Sequence, residues 1–471
     1  MKNNNKLFRR IVVAGIVTTY ISANVSPLLA NDIKMYNKSG RVMMDNPILV
    51  PNNLYIIKDS ILEGNTQYLF NNNADLMSRD TRIMKVESTY GTAFNNGWKL
   101  STKDIQEGIP NNFEVKYSTP YNGESEIINV ELVDKSNKEE VRLLAIGDSL
   151  TRAGEYLNEI DRQLNNIKFY GTREYSNDGL PAREGRGGWK VDMYMNDIGT
   201  EKLDSPFVFP IGVDGDKYRG NTYEWRKICY ETPNEHTYAG FQKLARGWKT
   251  KGEYLYDRKG YFKYPRVGDV MVDPTLAKGK QWVEWNGTKW VSIKEQPTQF
   301  EFSFSKYMEK FKAVYKDGTP THVSILLGAN DFGYSNTIQG LDKYIEQIDM
   351  MIESIHEFDP SIKVIICTPT PAPDTSITTG KMNSFYEDYD IRMGKTVQAI
   401  LNKFDNDTSI KNNIFIAPMH LTLNVETGYT YIPGVEDGNK VIKVDNQIHP
   451  NNSHGQKQMG NTLAAVIQKT R

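Results

Sequence analysis

The sequence predicts an α/β protein built on a mostly parallel sheet, preceded by a small β-sandwich and carrying an aromatic-rich insertion. Three observations support this. From Val141 onward, short apolar runs alternate with helical spacings. Residues 31–140 contain only short strand patterns between Asn, Asp and Gly clusters. Five of the seven Trp fall within residues 199–298, where the strand–helix rhythm stops. At roughly 150 residues per domain, the 471 residues are enough for two to three domains.

Composition narrows the class. A hydrophobic fraction of 39% with 24% charged residues is that of a globular protein with real cores. Lys plus Arg (57) almost balance Asp plus Glu (58), for a net charge of −1; a dedicated nucleic-acid binder would carry a basic excess. The two cysteines, Cys229 and Cys367, exclude a disulfide scaffold and a Cys-rich zinc module. They are expected to be unpaired, because Cys367 ends a buried strand pattern and Cys229 lies in the insertion.

Residues 1–30 read as a secretory signal peptide. Lys2, Lys6, Arg9 and Arg10 precede an apolar run from Ile11, and no acid appears before Asp32. Ala30, with Ala23 as rival, is a suitable residue before the cut. Thr18, Thr19, Ser22, Asn24 and Pro27 make the run a poor permanent span. Cleavage would remove four positive charges and take the net charge from −1 to −5. The expectation is a secreted protein with no stable membrane insertion.

The elements follow in order. Residues 31–140 form the sandwich: Ile48–Val50, Leu54–Ile57, Tyr68–Phe70 and Ile83–Val86 are short strand candidates. Residues 113–117 and 127–133 show partial period-two alternation. The domain of residues 141–471 begins with the strand Val141–Ile146, which runs into Gly147-Asp148-Ser149-Leu150. Helical spacing then passes through Tyr156, Ile160 and Leu164. Further strands are expected at Ile167–Tyr170, His322–Leu327, Lys363–Cys367 and Asn413–Ile416. Between them, Leu341, Tyr344, Ile345, Ile348, Ile352 and Ile355 share one helix face. Buried strands alternating with amphipathic helices imply a parallel sheet covered on both sides. Within the insertion (about 199–298), Gln281–Trp285, Asn286-Gly287 and Thr288–Val291 spell a hairpin with a type I′ turn.

The chemistry-bearing residues sit where the strands end. Ser149 lies at the carboxyl end of the first strand, the edge at which open parallel sheets bind ligands. Opening a helix, its N–H is free to face an anion; the bland alternative for Asp148-Ser149 is an N-cap. A serine nucleophile needs a base. Of His236, His322, His356, His420, His449 and His454, His449 stands in a polar loop before the last helix, and Pro450 disfavours helix there. Asp445, four residues upstream, can accept the imidazole N–H. Spacing alone leaves His420 and His454 open. Gly185-Arg186-Gly187-Gly188-Trp189 lets backbone approach a substrate closely, and Gly328-Ala329-Asn330-Asp331 brings the Asn330 amide to the same edge. No ligand cluster suggests a metal, and no cofactor is expected.

Taken together and in this order, these blocks resemble the SGNH (GDSL-type) hydrolase family. The resemblance covers residues 141–198 and 300–471 and implies a flavodoxin-like three-layer sandwich. It implies Ser149 as nucleophile, and Ser149, Gly188 and Asn330 as oxyanion hole. The last family block, Asp-x-x-His-Pro, matches His449-Pro450, but position 446 is Asn and the acid stands one residue further back. Two readings follow. Either the loop bulges and Asp445 completes a triad, which is the expectation, or a Ser–His dyad works with a backbone carbonyl orienting His449 and Asn446 facing the ring.

The resemblance also implies acyl transfer through an acyl-serine. Export, the accessory β-domain and the Trp- and Tyr-rich insertion favour a carbohydrate substrate, since aromatic faces pack on sugar rings, and the family resemblance implies removal of its O-acetyl groups. The same aromatics serve equally well as the insertion's own core. The alternatives are a lipase or acylhydrolase on lipid or small esters, and a non-catalytic carbohydrate-binding surface protein.

Overall fold

The computed structural model describes residues 48–62, 68–70, 85–94, 97–118, 125–172, 180–198, 205–221, 265–273, 275–312, 315, 317–333, 340–373, 389–436, 438–446 and 448–471. The expected signal segment 1–30 and Trp225, Cys229, His236 and Trp248 lie outside the described residues. Among the described residues no helix is long and apolar enough to cross a membrane.

Apolar residues fill the Val141–Gly147 strand, and it is buried on both faces apart from Arg142. On one flank it pairs in parallel with His322–Leu326, and Lys363–Cys367 and Ile414–Ala417 extend the sheet in the same direction. The other flank is shared: Ile167–Tyr170 pairs with Val141–Leu144, and Glu184–Gly185 continues opposite Ile146–Gly147. Counting that flank as second in the chain, the order is the doubly wound 2-1-3-4-5, whose switch point falls between the first and third strands. Leu326 lies opposite both Gly147 and Cys367, so the strands end level.

Helices cover the sheet. Tyr156, Leu157 and Ile160 of Glu155–Gln163 and Met459, Leu463, Val466 and Ile467 of Gly455–Thr470 pack with Leu143, Ala145, Ile365 and Cys367. Gly154, in the left-handed region (φ 78°), separates Glu155–Gln163 from the short Ser149–Ala153 helix. In Leu341–Phe358 the buried stripe is Tyr344, Gln347, Ile348, Met351, Ile352 and Ile355, rotated from the predicted face so that Leu341 and Ile345 lie at its margin. Cys367 is buried and unbridged.

Residues 48–133 form a four-stranded sheet in the order Asn53–Ile57, Ser125–Val133, Asn112–Ser118, Lys85–Glu87, with a three-stranded sheet of Tyr68–Phe70, Gly97–Lys99 and Thr92–Phe94. In Asn112–Ser118 the alternation turns Phe113, Val115 and Tyr117 inward, where they share a core with Trp98, Ile128 and Val130. Asn53–Ile57 buries Leu54 and Ile56 on one face and half-buries Asn53 and Tyr55, with Ile57 buried, on the other. Leu54 and Ile56 join that core, while Ile57 joins the core around Gly455–Thr470. Residues 47–471 accordingly make one compact unit.

In the insertion, Trp282–Trp285 and Trp290–Ser292 do form a hairpin, but the turn differs from the expected two-residue type. Trp285 pairs with Trp290, because the Asn286 carboxamide oxygen accepts from the N–H groups of Thr288 and Lys289 and widens the loop. Trp282 is buried, stacked on Tyr218 and tilted against Phe300, so it serves the insertion's core.

His420, near a predicted loop, is buried in the short helix Met419–Thr422. Its Nδ1 lies 2.9 Å from Thr368 Oγ1 and its Nε2 2.8 Å from the Leu49 carbonyl. Burial pushes its pKa down from 6.5 to about 4. The unfolded chain therefore takes up a proton here below pH 6.5 while the folded chain does not, so stability falls as pH drops from 6.5 toward 4. His420→Asn cannot charge, and in denaturant unfolding it should remove about 2 kcal/mol of the stability lost between pH 7 and pH 5. An unaltered pH dependence would contradict the assignment.

Candidate functional site

Gly147 closes the first strand where there is no room for a side chain. A Cβ would stand 2.1 Å from Thr151 Oγ1 and 2.7 Å from the Leu326 carbonyl oxygen. The absent side chain lets the Ser149–Ala153 helix fold back over the strand end. Asp148 caps that helix, its Oδ1 accepting from the Leu150 N–H at 2.9 Å. The Ser149 N–H, among the orphan donors of the first turn, has no acceptor among the described residues.

The second strand end runs from Glu184–Gly185 into Arg186-Gly187-Gly188-Trp189. Gly188 sits at φ 77°, a left-handed conformation that L side chains rarely adopt, and a Cβ there would meet nothing within 4 Å. Its N–H also has no acceptor among the described residues. The segment is held from behind. The Arg186 N–H donates to the Gly147 carbonyl at 2.9 Å. The Arg186 guanidinium pairs with Glu184 at 2.7 Å, fully buried, and lies 5.0 Å over the Trp189 ring. Glu184 also accepts from the Thr172 N–H and the Tyr307 hydroxyl, each at 2.7 Å.

Asn330 joins these two ends to the third. From the short helix Ala329–Phe332 after His322–Leu326, its Nδ2 donates to Asp148 Oδ2 at 3.1 Å and to the Trp189 carbonyl at 3.3 Å. Both amide hydrogens are thus engaged. Asp331 turns the other way and accepts from the Val191 N–H at 3.0 Å. Burial, with Asp331 nearby, pushes Asp148 up to about 7, and burial pushes Asp331 up to about 6.

His449 arrives from 300 residues away, with Nε2 2.8 Å from Ser149 Oγ. Its loop is anchored on both sides: Asp445 N–H donates to the Thr430 carbonyl at 2.8 Å and Asn451 N–H to the Gly428 carbonyl at 2.7 Å. Burial lowers its pKa from 6.5, so the ring is neutral at neutral pH. Among the described histidines, His322, His356, His420 and His454 all bond elsewhere.

The structure places the expected orienter, Asp445, away from the His449 ring. Asp445 is exposed and its carboxylate has no hydrogen bond or ion pair among the described residues. Asn446 faces the ring instead, with Nδ2 3.1 Å from His449 Nδ1. The loop makes an Asx turn in which Asn446 Oδ1 accepts from the N–H groups of Ile448 (3.1 Å) and His449 (3.0 Å). That turn needs the side chain at 446 and leaves 445 pointing outward. The one signal for it in the sequence was the family spacing, which marks 446 and not 445. The link from Asp148 to Asn330 had no sequence signal, since it spans 182 residues. Among the described residues no group of three or more His, Cys, Asp or Glu is placed to hold a metal ion.

No protein-family model matches the chain, and no curated protein matches it. Similar solved structures include a mutant acetyl esterase with an acetate ion, at 13% identity, covering 70% of this chain and 98% of that one with a TM-score of 0.31. A carbohydrate esterase family 3 protein from Talaromyces cellulolyticus has 13% identity, covering 70% and 98% with a TM-score of 0.30. A family two carbohydrate esterase from Clostridium thermocellum, in complex with cellohexaose, has 12% identity, covering 86% and 91% with a TM-score of 0.28.

Gly147 provides a test of the site's framework. Gly147→Ala would drive a methyl group into a backbone carbonyl that no rotamer change can move, so it should cost roughly 1–3 kcal/mol or more in urea unfolding. Full retention of stability would mean that the turn has more freedom than the Thr151 and Leu326 contacts imply.

Proposed function

We propose that this chain is an exported serine esterase of the SGNH type, cleaving O-acyl groups, above all O-acetyl, from a carbohydrate. The observation that carries the reading is the 2.8 Å approach of His449 Nε2 to Ser149 Oγ at the switch point of the parallel sheet, beside two unpartnered N–H groups. His449, in the tautomer with a bare Nε2, takes the Ser149 proton as the hydroxyl attacks the ester carbonyl, and the imidazolium then protonates the leaving alcohol. Water, deprotonated by the same ring, attacks the acyl-Ser149 and releases the acid. The Ser149 and Gly188 N–H groups receive the tetrahedral oxyanion. Asn330 joins them when one of its hydrogens, the more distant one on the Trp189 carbonyl, is given to the oxyanion. One such donor is typically worth about 10² to 10³ in rate.

A second reading has an observation of its own. The hairpin Tyr431–Glu436 and Asn439–Val444, which leads into the His449 loop, exposes Val435 (67%) and Ile442 (59%). An exposed apolar strip on the hairpin that leads into the His449 loop favours esters of longer acyl chains. Turnover of p-nitrophenyl esters of rising chain length, alongside acetate release from acetylated glycans, separates the two. Activity rising steadily with chain length would favour the acylhydrolase. Absence of all hydrolysis above a Ser149→Ala control would leave a carbohydrate-binding protein.

Ser149→Ala and His449→Ala should each abolish hydrolysis with unfolding curves unchanged; more than a few per cent residual activity in either would end the mechanism. Asn330→Ala should lower kcat by about 10² with a smaller change in KM. Asp445→Ala should cost tenfold at most, whereas a triad acid would cost about 10⁴.

A further inference from the structure

We infer that Asn446 is a positioning residue that holds the His449 ring in the tautomer donating to Ser149, so that the encoded site is an attenuated hydrolase one atom away from a full triad. The inference rests on the esterase reading only for its kinetic consequence. The hydrogen-bond network around the amide decides the tautomer. Oδ1 of Asn446 lies 3.1 Å from the Ile448 N and 3.0 Å from the His449 N. Both of those groups are donors, so the atom between them must be the oxygen. Turning the amide over would set its NH₂ group against two N–H donors. The atom 3.1 Å from His449 Nδ1 is therefore the nitrogen, a donor only. Nδ1 is left as the acceptor, and in a neutral imidazole the proton then sits on Nε2. At 2.8 Å, Ser149 Oγ accepts that proton rather than giving up its own.

Catalysis needs the opposite arrangement. A base must present a bare Nε2 to Ser149, with Nδ1–H held by an acceptor. Here the Nδ1–H form would face the Asn446 NH₂, donor against donor, and the imidazolium would gain no charge partner. Exchange of an orienting Asp for Asn, with geometry intact, costs a serine protease about 10⁴ in kcat through this tautomer effect. Asn446→Asp is the reverse change. One carboxylate oxygen keeps both Asx-turn bonds, while the other replaces the NH₂ and accepts from Nδ1–H.

Two measurements test this on the full chain. In protein labelled with ¹⁵N-histidine, the His449 signals, assigned by their loss in His449→Asn, should show a proton on Nε2 in the native protein and on Nδ1 in Asn446→Asp. A native ring protonated on Nδ1 would overturn the inference, whatever the activity. With p-nitrophenyl acetate, Asn446→Asp should raise kcat at least tenfold with KM nearly unchanged, and the Ser149→Ala background should stay flat. An equal or lower kcat in Asn446→Asp, with the native enzyme active, would also overturn it. If the ring carries its proton on Nε2 and neither protein hydrolyses any ester above the Ser149→Ala control, the tautomer assignment stands and the esterase reading fails.

Discussion

Val141–Gly147 and His322–Leu326 run in parallel register with Leu326 opposite Gly147, and the geometry of the site depends on this alignment. Parallel strands that end level deliver their following residues to one edge. Ser149 and Asn330 come from the two strands flanking the switch point, and Gly188 comes from the segment paired with Gly147 on the other side. The Asn330 amide then spans all three, from the Asp148 carboxylate to the Trp189 carbonyl. No one segment could hold that geometry alone, because each is a loop or a helix of at most five residues.

Rigidity at this edge comes from buried polar groups as much as from apolar packing. Glu184 and Arg186 are both nearly inaccessible, a costly placement unless every polar atom finds a partner. Glu184 accepts from Thr172 and Tyr307 as well as Arg186, and the Tyr194 hydroxyl lies 2.8 Å from the Gly147 carbonyl and 2.6 Å from that of Glu184. These bonds tie the Arg186–Trp189 segment to the end of the Val141–Gly147 strand, which Ser149 follows.

The His449 side is built differently. Its loop precedes Gly455–Thr470, the helix that packs both on the central sheet and, through Ile57, on the N-terminal strands. Gln468 and Arg471 bond to carbonyls of Asp134 and Asn137 in the link between the two sheets. The N-terminal layer thus braces the helix whose start follows the histidine. The ring is set by a local Asx turn and not by a buried acid. That makes this corner the least constrained part of the site chemically and the easiest to alter by one side chain.

The sequence by itself determined the periodic features. The apolar run Val141–Ile146, short and closed by Gly147, fits a strand buried on both faces, and the alternation at Phe113, Val115 and Tyr117 fits a strand with one face in a core. The Gly147-Asp148-Ser149-Leu150 turn was legible because glycine and a capping acid mark a strand-to-helix junction whatever lies around it. What only the tertiary structure decided were contacts between groups far apart in the chain, or choices between neighbours in a loop. Asn53–Ile57 pairs in parallel with Ser125–Val133, and its Ile57 packs with residues of the last helix. His449 reaches Ser149 across 300 residues while His420, of the same type and also near a predicted loop, is consumed by a core bond to Leu49. Asn446, and not Asp445, faces the ring because the backbone of the turn directs one side chain inward and the next outward. Composition and spacing carry no information on that direction; it follows from which N–H groups the folded loop leaves for a side chain to accept.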